Sequence, residues 1–395
     1  MLSNLLLPEI QAYIRENTHQ SVTQLALKKN PFPDVEWTEI LNQIAARQKA
    51  KDKLPTWYAA RDIVYPSKIS VEQTSSETAA EYKSALVSGE SLIDLTGGFG
   101  IDDYFFSKKI AHVTHCELNL ELSAIAKHNF EMLGADNITC MPGDSLDVLK
   151  ITDKQWDWLY ADPARRSDTK GKVFMLKDCL PSVPDLLSTY FTYTKNILIK
   201  TAPLLDITAG LNELHFVKAI HIVAVNNEVK ELLWILERGF TLSPQIVAVN
   251  LTKEGTDIFE TGLSNDAEAT YALPKKYLYE PNSAIMKSGA FDAVSSHYSL
   301  DKLHKHSQLY TSDTLIDFPG RRFTINQILP YQKAEMKQHI EGKKMNVTVR
   351  NFPLQVTDIQ KKWKIKDGGD TYAFFTTTVD NEKVVLLCSK EINEK

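Results

Sequence analysis

The stretch Ser91-Leu92-Ile93-Asp94-Leu95-Thr96-Gly97-Gly98-Phe99-Gly100-Ile101-Asp102-Asp103 decides the fold. An apolar run ends at Asp94, three glycines fall within four positions, and an amphipathic segment follows. That order reads as a buried strand, a tight turn and the start of a helix. Glycine permits positive φ and lets a ligand approach the backbone closely. The first amides of a helix have no intrahelical partner and point at whatever sits there. The turn is therefore expected to form the floor of a nucleotide-type site.

Charge and spacing narrow the ligand. A dinucleotide fingerprint needs G-x-G-x-x-G and a Walker loop needs a closing Gly-Lys-Ser/Thr. Here the spacing is G-G-x-G, with Phe99 at the second glycine's place and no Walker ending. Asp94, Asp102 and Asp103 would repel a pyrophosphate. They suit a ligand carrying an ammonium and a sulfonium, and S-adenosylmethionine (SAM) is such a ligand.

From Ser91 onward, apolar runs alternate with helical periodicity, the pattern of a parallel sheet with crossover helices. Strands are expected at Val113–Glu117, Ile138–Met141, Trp156–Ala161, Asn196–Lys200, Ile220–Val225, Leu232–Leu236 and Ile246–Leu251. The last two are expected to pair as an antiparallel edge hairpin. Asn119 should cap a helix that Gly134 closes. In open sheets of this kind ligands sit at the carboxyl ends of the strands. The first strand ends at Asp94, and Thr96, Gly97, Gly98 and Gly100 follow it. The second ends at Glu117, a bidentate acceptor suited to both ribose hydroxyls. The third is followed by Gly143 and Asp144, which could take the adenine amino group, and the fourth by Asp162-Pro163-Ala164-Arg165-Arg166. Taken singly, Glu117 and Asp144 could equally cap the turns and helices they precede.

The rest of the chain sets bounds. Its 395 residues suggest two or three domains, and 43% hydrophobic with 24% charged residues is ordinary for a globular protein. No apolar run is long enough for a bilayer. The first residues lack the basic start of a signal peptide. Cys116, Cys140, Cys179 and Cys388 form no C-x-x-C pair, so reduced thiols, no metal site and a cytoplasmic location are expected. A net charge of −5 leaves nucleic-acid contact to a local patch. Residues 1 to about 60 read as helices. Trp37, Ile40, Leu41 and Ile44 lie at three–four spacing behind Asp34 as N-cap, and Arg47, Lys49, Lys51 and Lys53 form a basic run that reads as a solvated helix face or as an RNA contact. Thr74-Ser75-Ser76-Glu77 fits a capping box that opens a helix through Leu86.

Residues 74–251 resemble the class I SAM-dependent methyltransferases. The stretches that carry the resemblance are Asp94–Gly100, Glu117, Gly143-Asp144 and Asp162-Pro163. The chain looks like the RNA branch related to trimethylguanosine-type, guanine-N2 enzymes. It is more similar still to a bacterial family in which a ferredoxin-like segment and a THUMP-like domain follow. Thr96–Gly100, Asp162–Arg166 and Glu228-Val229-Lys230-Glu231-Leu232-Leu233-Trp234 carry that closer match. The resemblance implies an α/β fold: a seven-stranded Rossmann-like SAM methyltransferase sheet with an N-terminal helical region and a C-terminal α+β (THUMP-like) unit. The expected segments are 1–73, 74–265, 272–318 and 319–395. It implies SAM as cofactor and RNA, most often tRNA, as partner.

Amine methyltransferases of this type carry Asp/Asn-Pro-Pro-aromatic, whereas Ala164 and Arg165 stand here. Stacking on a target base would then fall to the Arg165 guanidinium, or to Trp158, Tyr160 or Phe174. The similar Asp-Pro-Pro-Arg of uracil-C5 enzymes goes with a nucleophilic cysteine after strand five. Lys200-Thr201-Ala202-Pro203 has none, and Cys179 reads as a core residue. Asp162 and Pro163 are therefore expected to orient an acceptor amine, with Arg165 beside them as a third catalytic residue. Arg165 and Arg166 are also expected to meet RNA phosphate or the base, on a polar loop through Lys172. Glu254–Asn265 reads as a surface loop. Between Pro319 and Lys366, eleven basic residues face three acids, a local positive patch that includes Lys343, Lys344 and Arg350. Tyr331, Phe352 and Trp363 are interleaved with it and could stack on bases. Two other readings stay open: a small-molecule or protein methyltransferase, and an RNA-binding protein whose methyltransferase fold has lost catalysis.

Overall fold

The computed structural model describes residues 2–66, 68–165, 175–263 and 267–391. The chain divides into two compact units, Met1–Ile220 with Lys230–Leu242, and His221–Val229 with Ser243–Lys395. The first sheet has nine strands: β1 (Gly89–Asp94), β2 (Ile110–Glu117), β3 (Ile138–Pro142), β4 (Trp156–Ala161), β5 (Thr194–Thr201), β6 (Val217–Val225), β7 (Glu228–Glu237), β8 (Gln245–Leu251) and β9 (Thr256–Gly262). Their order is β9-β8-β6-β7-β5-β4-β1-β2-β3. Strands β1 to β5 are mutually parallel, and β7 runs antiparallel to β5. The Rossmann-like core of seven strands is thus present, with two more at one edge.

Two expectations about that edge fail. Leu232–Leu236 does not pair with Ile246–Leu251; β7 lies between β5 and β6, with Lys200 opposite Leu233. Its run Leu232–Trp234 is buried, as an interior strand requires. The edge hairpin is β8 with β9, so Thr256–Gly262 is a strand and not a loop. Only Phe259 of β9 is buried, and so polar an edge strand resembles a loop in sequence.

The N-terminal helices include Pro8–Asn17, Trp37–Lys53 and Glu77–Ser84. They share one core with the sheet's own helices: Ile40, Ile44, Trp57 and Tyr65 pack with Phe99, Ile101, Phe105 and Ile125. Asn129 seals the junction, its amide bonding both the N–H and the carbonyl of Val64. Two caps differ from expectation. Asp34 lies in a turn closed by Asn30, and the helix starts at Trp37 behind Glu36 without a side-chain cap. Ser76, not Thr74, caps the next helix, because the Glu77 carboxylate is drawn instead to the amide and hydroxyl of Thr56. Asn119 and Gly134 act as expected at the two ends of Leu120–Met132.

The second sheet contains β10 (Tyr277–Pro281), β11 (Asp301–Lys302), β12 (Tyr310–Ser312), β13 (Gly320–Pro330), β14 (Asn346–Val349), β15 (Thr371–Thr377) and β16 (Lys383–Lys390). Their order is β11-β12-β10-β13-β16-β15-β14, so β13 pairs with β10 on one side and β16 on the other. Successive residues of a strand point to opposite faces. Accordingly Phe374 and Leu386 join one core with Leu278 and Phe323, while Phe375 and Val385 join another with Met336, Ile359 and Trp363. Among the described residues no helix is long and apolar enough to cross a membrane.

Candidate functional site

The parallel register aligns the carboxyl ends of β1, β2, β4 and β5. Asp94 lies opposite His115 and Tyr160, Ala161 opposite Ile199, and Glu117 opposite Pro142. A cavity of about 650 Å³ opens there. Its lining includes Asp94, Thr96, Gly97, Gly98, Gly100, Glu117, Asp144 and Asp162, so every residue expected to hold the cofactor is brought together with the expected acceptor carboxylate. The N-terminal region adds Gln73 and Thr74, which the sequence reading missed.

The turn takes its shape from Gly98 and Gly100, at φ +58° and +81°, which non-glycine residues adopt only with strain. Gly97 has a different reason to be glycine: a Cβ there would collide with the imidazole of His115. That imidazole is buried beneath the turn, with Nδ1 2.6 Å from Asp103 Oδ2. Burial holds the His115 pKa below its ordinary value. Gly97→Ala is therefore expected to displace the turn and to weaken SAM binding at least about tenfold, the scale of ~1.4 kcal/mol of strain. Isothermal titration with SAM reads the loss directly.

The acidic turn needs a correction. Asp102 lines the cavity, but its oxygens are taken up by Lys83, Ser75 and Tyr160, and Asp103 is buried against His115. Asp94 also lines the cavity, and its Oδ1 accepts from the Thr96 amide at 2.7 Å and hydroxyl at 3.0 Å. Burial, and then the neighbouring Asp103, push its carboxyl well above the usual range. A cation arriving beside it would favour the charged form again. The Thr96 hydroxyl also accepts from the Asp162 amide at 2.7 Å, tying the ends of β1 and β4 together.

Glu117 is oriented by its own turn. Its Oε2 accepts from the Gly98 amide at 2.9 Å and its Oε1 from the Asn119 amide at 2.7 Å. Each carboxylate oxygen keeps one acceptor position, enough for two vicinal hydroxyls. Asp144 lines the cavity and also caps the helix Ser145–Thr152 through the Leu146 amide.

Lys200 is a cavity-lining residue that motif reasoning passed over. Its Nζ lies 2.5 Å from Asp162 Oδ2 and 3.2 Å from Ser75 Oγ, and it lines the cavity. Behind it, Lys83 is fully buried between Asp102, at 2.8 Å, and Glu231, at 3.3 Å, and the Tyr160 hydroxyl donates to Asp102 at 2.7 Å. Burial alone would lower the Lys200 pKa; Asp162, Asp102 and Glu231 overcome it and raise it. Burial raises the Glu231 pKa against the pull of both lysines. The signal was a lysine ending the apolar run Ile197–Ile199, and a glutamate opening Leu232–Trp234.

The remaining expected residues scatter. Ala164 lines the cavity, Pro163 is buried, and Arg165 lies in a two-residue ladder opposite Cys179, outside the lining. Arg166, the loop through Lys172 and Phe174 lie outside the described residues. Tyr160 lines the cavity but is buried, with its hydroxyl on Asp102. Trp158 donates from its indole to the Ser88 carbonyl. Cys179 is buried, as a core residue.

In the second unit Lys343 and Lys344 are exposed and meet Lys366, whose amide bonds the Lys343 carbonyl at 2.9 Å. Arg350 does not join them; it follows the opposite end of β14 and pairs with Glu280. Of the three interleaved aromatics, Trp363 is buried, while Tyr331 and Phe352 are half-buried against the same core. Tyr331 packs edge-on against both Phe352 and Trp363, and the Trp363 indole donates to the Tyr331 hydroxyl.

Comparison with known proteins agrees with this architecture. Residues 277–319 match a ferredoxin-like domain family, and residues 320–390 a THUMP domain-like family. A protein of known structure from Porphyromonas gingivalis W83, described as a candidate methyltransferase, is 31% identical over 99% of this chain and 99% of its own, with a TM-score of 0.88. The chain belongs to that protein's family. An rRNA methylase from Streptococcus thermophilus is 13% identical over 40% of this chain and 93% of its own, with a TM-score of 0.30. TrmK of M. capricolum, solved with S-adenosyl-homocysteine, is 13% identical over 41% and 69%, with a TM-score of 0.32. No curated protein matches the chain.

Proposed function

We propose that this chain is a SAM-dependent RNA methyltransferase, acting in the cytoplasm on a base of tRNA or rRNA and docking that RNA through its C-terminal unit. The observation that carries the reading is the cavity at the aligned strand ends, where Asp94, Glu117, Asp144 and Asp162 converge. Its residues fit the cofactor: Glu117 has two acceptor positions for a ribose diol, and Asp94 is a buried carboxyl that a cation would ionise. Asp144 lies where the adenine would rest. Bound there, SAM supplies a methyl group activated by its sulfonium. The chain's own residues do the rest by alignment and exclusion of water. Asp162 keeps Oδ1 for an N–H of the acceptor amine, since Oδ2 is held by Lys200. Leu180, Pro181 and Ala164 give the cavity an apolar wall. The THUMP-like match supports RNA as the substrate class, and the exposed Lys343, Lys344 and Lys366 supply an electrostatic footing for it. Arg165 and Arg166 are assigned to RNA phosphate near the site.

The test is nucleoside mass spectrometry of RNA from cells with and without the protein. One methylated nucleoside is expected to disappear and to return with the wild-type chain but not with Asp162→Ala. An unchanged set of nucleosides would remove RNA as substrate.

A further inference from the structure

A second concavity, of about 890 Å³, lies within the unit that carries the C-terminal sheet. Arg321, Arg350 and Lys383 line it, and none of its lining residues is acidic. The two arginines are gripped by one carboxylate. Glu280 on β10 is 3% exposed and sits opposite Arg321 in the ladder with β13. Its Oε2 accepts from Arg321 Nε at 2.6 Å, and its Oε1 from Arg350 Nη2 at 2.7 Å. Arg350 Nη1 also donates to the Val349 carbonyl at 3.0 Å, and the Arg321 guanidinium lies 5.5 Å from the Phe323 ring centre.

One guanidinium would neutralise one buried carboxylate. The second leaves a surplus positive charge, and Lys383 adds another. Both arginine side chains remain about one-third exposed, at 36% and 34%, while their orientation is fixed. Arginines held this way have already given up the rotamer freedom that binding would remove, and they retain N–H groups in a planar fork. That fork matches phosphate oxygens.

We propose that this groove holds a phosphate group of an RNA strand, between Arg321 and Arg350 with Lys383 as the third cation. The site deepens the RNA-docking reading above and rests on it for the identity of the ligand. It is separate from the lysines at 343, 344 and 366, so the two can be tested apart.

The experiment measures binding of a short single-stranded RNA to the full chain by fluorescence anisotropy across a salt series. Lys383→Ala, Arg321→Gln and Arg350→Gln are each expected to weaken binding about three- to tenfold. Each should reduce the slope of log K against log salt by about 0.7 for every phosphate that is no longer neutralised. Lys383 is exposed and its replacement leaves the Glu280 pairs intact, which keeps the result readable if an arginine variant folds poorly. A preference for 5′-phosphorylated over 5′-hydroxyl RNA would identify a terminal monoester, and equal binding an internal diester. Wild-type affinity and slope in all three variants would overturn the proposal. If Lys343→Ala with Lys344→Ala weakens binding in the same assay, RNA docking itself survives that result. SAM is absent from the measurement, so failure of the methyl-transfer reading shows only in the nucleoside experiment.

Discussion

Lys83→Met is expected to destabilise the first unit by about 3–5 kcal/mol, the cost of removing one partner from a buried ion pair. Lys83 has no exposed surface and supplies the positive charge between Asp102 and Glu231. Methionine keeps most of the volume and none of the charge, leaving Asp102 buried with only the more distant Lys200, at 3.8 Å, to balance it. A loss of that size lowers the Tm of a unit this large by roughly 10 °C, which scanning calorimetry of the full chain would read. Adding Asp102→Asn should restore part of the loss, because the stranded charge goes with it. The wild type should also be acid-sensitive through Asp102. Burial tends to raise its carboxyl, yet Lys83 and Lys200 bring it down to about 2 from an ordinary 3.8. A depressed folded-state pKa gives stability that is complete above 3.8 and is lost as pH falls toward 2. A Lys83→Met protein that melts within a degree of wild type would show that the network contributes nothing.

The same network marks where sequence reasoning stops. The glycine turn, the strand ends at Glu117 and Asp162, and the caps at Asn119 and Gly134 were legible because each depends on local chemistry: positive φ, a short carboxylate beside free amides, the last residue of an apolar run. Lys83 lies in the helical segment Glu77–Ser84, where a lysine reads as solvated. Only the packing of that helix on the sheet's first helix turns it inward to Asp102, and no local pattern records a meeting of residues so far apart in the chain. Asp94, Asp102 and Asp103 crowd one turn in sequence, but Asp102 and Asp103 serve internal partners, which only the fold displays. The edge hairpin failed for a related reason: β7 is placed by what covers it on both faces, which its own sequence does not display. The aromatics at Tyr331, Phe352 and Trp363 look alike in one dimension, but packing buries Trp363 and leaves Tyr331 and Phe352 half-exposed.

Asp162→Ala is expected to lower methyl transfer about 10²–10³-fold while SAM affinity stays within about threefold, as for the loss of a single aligned hydrogen-bonding group in the transition state. Asp162 lies at the rim of the cavity, its side chain 38% exposed, and its amide is fixed by Thr96. Its carboxylate is aimed by Lys200, whose ammonium is committed to Asp162 and Ser75 with Asp102 near by. Raised in pKa by those carboxylates, Lys200 stays protonated and cannot serve as the base. A positioning role follows from the proposed function, and Lys200→Met should then reduce turnover by a similar factor without touching the acceptor. The double variant distinguishes positioning from an independent contribution. If Lys200 acts only through Asp162, Lys200→Met with Asp162→Ala is no slower than Asp162→Ala alone. Single-turnover transfer from SAM to RNA prepared from cells lacking the protein gives all four rates. Multiplying losses would assign Lys200 its own contact with the substrate, and full activity in Asp162→Ala would remove the acceptor role from the fourth strand end altogether.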